Sequence, residues 1–108
     1  MKQIENNFDL VQHIRRQREF SLKTFGPSPR TKGIIDHIQE ELVEIEAQPN
    51  DIMEWVDVIL LAIDGAWRVG HEPEQIAAAI KDKQRINEER NWPDWRECSQ
   101  DESIGHVK

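Results

Sequence analysis

Four carboxylates with mirrored spacing are the residues of this sequence best suited to chemistry. They lie in the segment EELVEIEAQPNDIMEWVD, which holds seven acids and a single proline. Glu44 and Glu54 each stand five positions from Pro49. Glu41 and Asp57 each stand eight positions from it. Carboxylates that converge in a partly buried site raise one another's pKa or require a cation. Oxygen ligands of this kind suit Mg²⁺ or Mn²⁺, so the spacing predicts a divalent-metal site.

The elements that must position these acids are two helices joined by the turn Gln48-Pro49-Asn50. Apolar residues at helical spacing predict one helix over residues 31–47 and another over residues 51–69. A connection this short makes the helices antiparallel neighbours, so positions equidistant from the turn lie at the same level. Acids three residues apart share one face of a helix. The sequence therefore predicts four carboxylates in two layers across a helix hairpin.

The helix over residues 51–69 is apolar on nearly every side, which predicts that most of its surface is buried. Its interior polar residues fall on one narrow line: Glu54, Asp57, Asp64 and Arg68. They form a charged stripe on an otherwise apolar helix. Such a helix is the rigid, buried support that a metal site requires.

The rest of the chain is also predicted to be helical. A first helix is expected over residues 7–20, followed by a loop over residues 21–32 that holds one glycine and two prolines. A last helix is expected from Pro73 to the residues before Pro93. These elements predict an all-α fold, a small bundle of about four helices. A chain with so modest a core is often completed by oligomerisation.

Composition narrows the possible classes of protein. The chain has 108 residues, which predicts one domain over residues 1–97 with a polar, flexible tail over residues 98–108. The net charge of −7 argues against a nucleic-acid partner, whose binding would require basic surface. The single Cys98 excludes an intramolecular disulfide and is typical of a reducing cytoplasm. No apolar run is long enough for a signal peptide or a bilayer span, so no membrane partner is predicted.

One face of the last helix carries candidate phosphate ligands. Ile76, Ile80, Lys83, Asn87 and Arg90 fall close to a single line along this helix. If the isoleucines point into the bundle, the two cations and the amide do so too. Lys and Arg beside a metal–carboxylate site are natural partners for phosphate oxygens. The alternative is that these long side chains extend along the surface into solvent.

Other interpretations stay open at this stage. Glu54 could be the reciprocal acid of a capping box with Asp51. Glu41 and Glu44 could be solvated acids near a helix end. Two cations in the predicted loop, Lys23 and Arg30, are weaker candidates for substrate binding, because loop cations are usually solvated.

The complete pattern resembles a known family of enzymes. The motifs that carry the resemblance are ExxE, ExxD and three polar residues of the last helix: Glu41, Glu44, Glu54, Asp57, Lys83, Asn87 and Arg90. Together they resemble the all-α nucleoside triphosphate pyrophosphohydrolases of the MazG-like superfamily. The run over residues 17–96 is similar to the MazZ-type dATP/dGTP diphosphohydrolases of phages and prophages. Nine residues separate Glu44 from Glu54, fewer than the broad MazG pattern usually allows, which favours the shorter subgroup.

This resemblance implies the metal-dependent hydrolysis of a purine deoxynucleoside triphosphate, dGTP or dATP, to a monophosphate and pyrophosphate. It implies two or more Mg²⁺ or Mn²⁺ ions on the four acids, with Lys83, Asn87 and Arg90 contacting the substrate. It also implies a homo-oligomer, a dimer or tetramer, with sites near subunit interfaces. MazZ-like members supply dGMP for making 2-aminoadenine nucleotides and remove dATP.

The expected mechanism is attack of a water molecule in line at the triphosphate, with one of the acids as general base. Metal ions, Lys83 and Arg90 would take up the developing charge. Which phosphorus is attacked does not follow from the residues. Two alternatives remain at this point: a general house-cleaning pyrophosphatase, and a non-catalytic helical interaction module.

Overall fold

The protein is all-helical in the computed structural model, which describes residues 7–108. Residues 1–6, part of the N-terminal segment MKQIENNFDL, lie outside the described range. The helices are α1 (Leu10–Phe25), α2 (Thr31–Ala47), α3 (Ile52–Arg68), α4 (Pro73–Glu89) and a short 3₁₀ helix (Trp95–Glu97). The prediction of a small all-α bundle with four helices is confirmed. Within the described range, the only β-type pairing is an isolated bridge between Asn91 and Val107.

The predicted helix hairpin is formed by α2 and α3, which pack against each other. The backbone N–H of Gln48 donates to the carbonyls of Glu44 and Ile45 and so ends α2. Asp51 caps α3, since its carboxylate accepts the N–H of Met53 at 3.0 Å. These local signals end one helix and start the next within four residues, which is why the bounds of α2 agree with the prediction.

The prediction for α1 is wrong at both ends. Asp9 caps the helix by accepting the N–H of Gln12 at 3.2 Å, so the helix begins at Leu10. The segment over residues 21–25, predicted to be a loop, continues the helix to Phe25. Gly26 ends it, because its φ of +84° lies in the left-handed region that favours glycine. Ser21 stabilises this extension of the helix. It is 1% exposed, and its hydroxyl donates a hydrogen bond to Asp64 of α3.

Two compact units make up the described chain, one ending at Ala77 and the other running from Ala78 to Lys108. The core of the first unit is formed by side chains from α1, α3 and the first turn of α4: Ile14, Ile63, Trp67 and Ile76. In the second unit, the N–H of Val107 donates to the carbonyl of Asn91 at 2.7 Å. The flexibility of the tail over residues 98–108, and the single domain over residues 1–97, stay predictions.

The prediction that α3 is buried on most sides is wrong for the single chain. Ile52, Trp55 and Ile59 are 71%, 51% and 55% exposed. They stay exposed because α1 and α2 cover only part of the helix. In residues 7–108, no helix is long and apolar enough to cross a bilayer.

Candidate active site

Three of the four predicted acids converge between α2 and α3. Glu41, Glu44 and Glu54 each offer one carboxylate oxygen, and these three oxygens lie within 4.8 Å of one another. Among the described residues this is the one group of three or more acids, histidines or cysteines close enough to share a metal ion. The convergence follows from the hairpin, because the turn sets α2 and α3 side by side at the level of these residues.

Two oxygens of this cluster are buried and lack a hydrogen-bond partner among the described residues: Oε2 of Glu41 and Oε2 of Glu54. Oε1 of Glu41 lies 3.4 Å from Nε2 of His37, one turn earlier on α2. Buried carboxylate oxygens normally have partners, because removing them from water unpaired is unfavourable. A divalent cation would supply the partner that both oxygens lack. The donor set therefore fits Mg²⁺ or Mn²⁺.

The electrostatics of the cluster also fit a cation site. Burial and the negative charge of Glu44 raise the pKa of the Glu54 carboxyl above its ordinary 4.5. A hydrogen bond to Glu44 that favours the protonated form, and the charges of Asp51 and Glu41, raise it further. Ionising Glu54 is unfavourable because no positive charge within residues 7–108 offsets these effects. A bound cation would reverse that balance.

The capping-box alternative for Glu54 does not fit the geometry. In a capping box, the side chain at this position would accept the backbone N–H of the capping residue. The N–H of Asp51 instead donates to the carbonyl of Gln48 at 3.1 Å. The Glu54 carboxylate therefore does not cap the helix, and one of its oxygens lies in the acid cluster.

Asp57, the fourth predicted acid, lies outside the group of three. It lines a cavity of about 230 Å³ together with Glu41, so the cavity and the acid cluster share a wall. Asp57 has no hydrogen-bond or ion-pair partner within residues 7–108. The cavity also contains aromatic side chains of α1 and the carboxylate of Asp64.

Comparison with known proteins decides the family. Residues 13–108 match the family model described as dATP/dGTP pyrophosphohydrolase, and this match covers most of the chain. The chain belongs to the dATP/dGTP pyrophosphohydrolase family. It is therefore a nucleoside triphosphate pyrophosphohydrolase, as predicted, and the resemblance to the MazG-like superfamily is confirmed. The alternative of a non-catalytic helical module does not stand. No curated protein and no solved structure matches the chain.

Two cations of the pyrophosphohydrolase were predicted to lie in a loop. Lys23 instead lies on α1, exposed, with its ammonium group 3.3 Å from the carboxylate of Glu19. Arg30 precedes α2 in a left-handed conformation with φ of +55°. Its guanidinium lies 5.9 Å from the centre of the Phe25 ring, and it lines a second, smaller cavity with His37. Arg30 is the better placed of the two cations, since Lys23 is engaged by its helical neighbour.

The polar residues predicted on the last helix belong to the second unit. Arg90 donates from Nη1 to Oδ1 of Asn87 at 3.1 Å. Lys83 is exposed. The expectation that this face is buried is wrong for Ile80, which is 51% exposed, although Ile76 is buried.

The charged stripe on α3 divides into two parts with different roles. Glu54 belongs to the acid cluster, whereas Asp64 is partly buried and accepts three hydrogen bonds. The donors are Nε2 of Gln17 at 2.8 Å, Nε1 of Trp67 at 2.9 Å and Oγ of Ser21 at 2.6 Å. Helical periodicity places Asp64 on the stripe, but it does not predict which side chains donate to Asp64. Two of the three donors come from α1.

Arg68, at the end of the same stripe, forms hydrogen bonds to the segment between α1 and α2. It is buried, and its Nη1 donates to the carbonyls of Gly26 and Ser28, each at 2.7 Å. Its Nη2 donates to Oγ of Ser21 at 2.8 Å and to the carbonyl of the same residue at 3.2 Å. The guanidinium also lies 4.5 Å from the ring centre of Trp67. Arg68 is thus a structural residue that fixes the position of the α1–α2 loop.

Proposed function

We propose that this chain is a metal-dependent enzyme that converts dATP and dGTP to the monophosphate and pyrophosphate. Glu41, Glu44 and Glu54 would hold Mg²⁺ or Mn²⁺, two or more ions per site, with Asp57 as the fourth acid. One observation supports this proposal above all. The cluster contains two buried carboxylate oxygens without partners, in a chain of the dATP/dGTP pyrophosphohydrolase family.

The proposal gives separate tasks to the residues of the site. A divalent cation, when bound, supplies positive charge for the triphosphate oxygens and favours ionisation of water. His37 orients Glu41 through its contact at 3.4 Å. Asp57 has no partner in the described range and borders the same cavity as Glu41, so it can accept the proton of the attacking water. Lys83, Asn87, Arg90, Arg30 and Lys23 are the candidate contacts for phosphate oxygens.

A product assay tests the proposal directly. The purified chain is incubated with dGTP or dATP and Mg²⁺, and the products are separated by ion exchange. We expect equal amounts of the monophosphate and pyrophosphate, and no turnover after chelation of the metal. Release of orthophosphate, or equal rates with and without a chelator, would contradict the proposal. The same assay on pyrimidine and damaged nucleotides separates a purine-specific enzyme from a house-cleaning pyrophosphatase, and the family match favours the former.

We also propose that the chain forms a homodimer or homotetramer. Ile52, Trp55 and Ile59 follow one another at spacings of three and four along α3, and all three are at least half exposed. A contiguous apolar stripe of this kind is typical of a subunit interface.

The assembly has a measurable consequence. We expect light scattering to give a mass of two or four times the 12.7 kDa of one chain. Ile59→Glu should shift that mass towards the monomer, because it places a charge in the apolar stripe. Phe8→Glu is the matched control, since Phe8 is even more exposed than Ile59 but lies before α1. A wild-type mass of one chain would overturn the proposal.

We propose that the enzyme acts in the cytoplasm. A single Cys98 that forms no disulfide is compatible with that reducing compartment, where deoxynucleotides would be its substrates. A role in phage 2-aminoadenine metabolism rests on the similarity of residues 17–96 to the MazZ type.

A further inference from the structure

We infer that the purine base of the substrate binds in the cavity beside the acid cluster, stacked on Phe20 and Phe25, and donates one N–H to Asp64. The inference rests on the proposed function, since it requires a nucleotide whose triphosphate lies at the acids. It goes further by naming the residues that select the base.

The position of the cavity fits this role. Glu41 lies in both the acid cluster and the wall of the cavity, and Asp57 lines the cavity as well. A nucleotide whose phosphates lie at the acids therefore has its base within reach of this space. The cavity has a volume of about 230 Å³. Pockets for drug-sized ligands usually have volumes above about 300 Å³, so this cavity suits a nucleobase alone.

The aromatic wall offers a stacking surface. Phe20 and Phe25 are 62% and 49% exposed although both line the cavity. Their rings meet edge to face, with centres 6.4 Å apart and an angle of 83° between the ring planes. One ring can therefore stack on the flat face of a base while the other meets its edge. Exposed phenylalanine rings beside the acid cluster therefore suit a planar, aromatic ligand.

The carboxylate of Asp64 has one place left for a hydrogen bond. A carboxylate has about four lone-pair positions. Oδ1 of Asp64 already accepts from Gln17 and Trp67, whereas Oδ2 accepts only from Ser21. One lone pair of Oδ2 therefore remains for a ligand. The three donors also hold the carboxylate in a fixed orientation.

The groups that bond to Asp64 offer no spare donor. The amide N–H groups of Gln17 donate to the carbonyl of Leu60 and to Asp64. The hydroxyl of Ser21 donates to Asp64 and accepts from Arg68, and Nε1 of Trp67 donates to Asp64. A ligand group that meets the free lone pair of Oδ2 must therefore carry the hydrogen.

Both purines can meet this requirement with a single bond. Adenine carries a 6-amino group, and guanine carries an N1–H and a 2-amino group. The N–H of thymine lies between two carbonyl oxygens, which would face carboxylates and be repelled. Cytosine has an amino group but only one ring to stack. A single acceptor combined with a large stacking surface thus explains why one site accepts dATP and dGTP and disfavours pyrimidines.

The experiment measures KM and kcat of the full chain with Mg²⁺ for dGTP, dATP and a dATP analogue whose base is unsubstituted purine. The variants are Phe20→Ala, Phe25→Ala and the control Phe8→Ala, which removes an exposed ring outside the cavity. We expect the two cavity variants to raise KM for dGTP about 5- to 100-fold with little change in kcat. The Ki of inorganic triphosphate, which has no base, should stay the same. Phe8→Ala should behave as wild type.

The unsubstituted purine tests Asp64 without changing the protein, because Asp64→Asn would disturb three internal hydrogen bonds and could prevent folding. That nucleotide has no amino group or N1–H, and we expect its kcat/KM to fall about tenfold or more below that of dATP. Equal turnover of the two nucleotides would overturn the role of Asp64. Unchanged KM values in both phenylalanine variants would overturn the stacking. An inactive wild type would instead contradict the proposed function, so the two failures are distinguishable.

Discussion

Glu54→Gln is expected to lower kcat for dGTP about 10²–10³-fold, the range seen when one group that stabilises transition-state charge is removed. Glutamine has nearly the shape of glutamate but carries no negative charge. The change removes a ligand from the cluster of three carboxylates, where Glu54 holds one of the two buried oxygens without a partner. Steady-state kinetics at saturating Mg²⁺ measure the loss.

The same variant should be more stable than wild type when metal is absent. The raised pKa of Glu54 means that its ionised form is disfavoured in the folded protein. An acid with a raised folded-state pKa contributes stability below its ordinary 4.5, and this contribution is lost as the pH rises through the folded-state value. At pH 7 the wild type therefore carries an unfavourable charge that Glu54→Gln lacks. The difference in Tm between the two proteins should shrink as the pH falls towards 4.5.

Addition of Mg²⁺ should reverse the order of stability. Metal at about one hundred times its Kd stabilises a protein by about 2.7 kcal/mol through mass action. The wild type should gain this stability, whereas Glu54→Gln should gain much less. Glu46→Gln is the matched control, because Glu46 is an exposed acid on α2 outside the cluster. An equal response to Mg²⁺ in all three proteins would show that Glu54 is not a ligand.

Arg68→Met is expected to destabilise the fold by about 1.5–3 kcal/mol or more, because it removes several hydrogen bonds from a charged donor. Methionine retains much of the side-chain volume but donates no hydrogen bond. The carbonyls of Gly26 and Ser28 and the hydroxyl of Ser21 would each lose a charged donor at 2.7–2.8 Å. Hydrogen bonds to charged groups contribute about 1.5–3 kcal/mol each, and the desolvation of the guanidinium offsets part of that sum. Urea denaturation of the metal-free protein measures the change.

The control for this substitution is Arg85→Met, which removes an exposed arginine. Arg85 pairs with Glu89 at 3.1 Å across one turn of α4, and exposed pairs of this kind contribute about 0.3–0.5 kcal/mol. Arg68→Lys should also be destabilising, because one ammonium group cannot reproduce the forked geometry of the guanidinium. If Arg68→Met were as stable as Arg85→Met, the network would not hold the α1–α2 loop as inferred.

The hairpin and the alignment of its acids were predictable from local sequence alone. Gln48, Pro49 and Asn50 make a turn so short that α2 and α3 must be antiparallel neighbours. Helical periodicity then fixes which residues share a level. Glu41, Glu44 and Glu54 converge for this reason, without help from distant parts of the chain. The bounds of α2 were predictable because its stop signal and the cap of the next helix are both local.

The length of α1 and the division of the charged stripe depend on contacts between helices that are distant in sequence. Ser21 and Asp64 are 43 residues apart, and their hydrogen bond keeps the segment after residue 20 helical against its local loop signals. Together with Gln17 and Trp67, Ser21 also fixes the orientation of the Asp64 carboxylate. Local periodicity says which side of a helix a residue occupies. It cannot say which distant donors meet that residue, because packing between helices decides where each buried polar atom finds its partner.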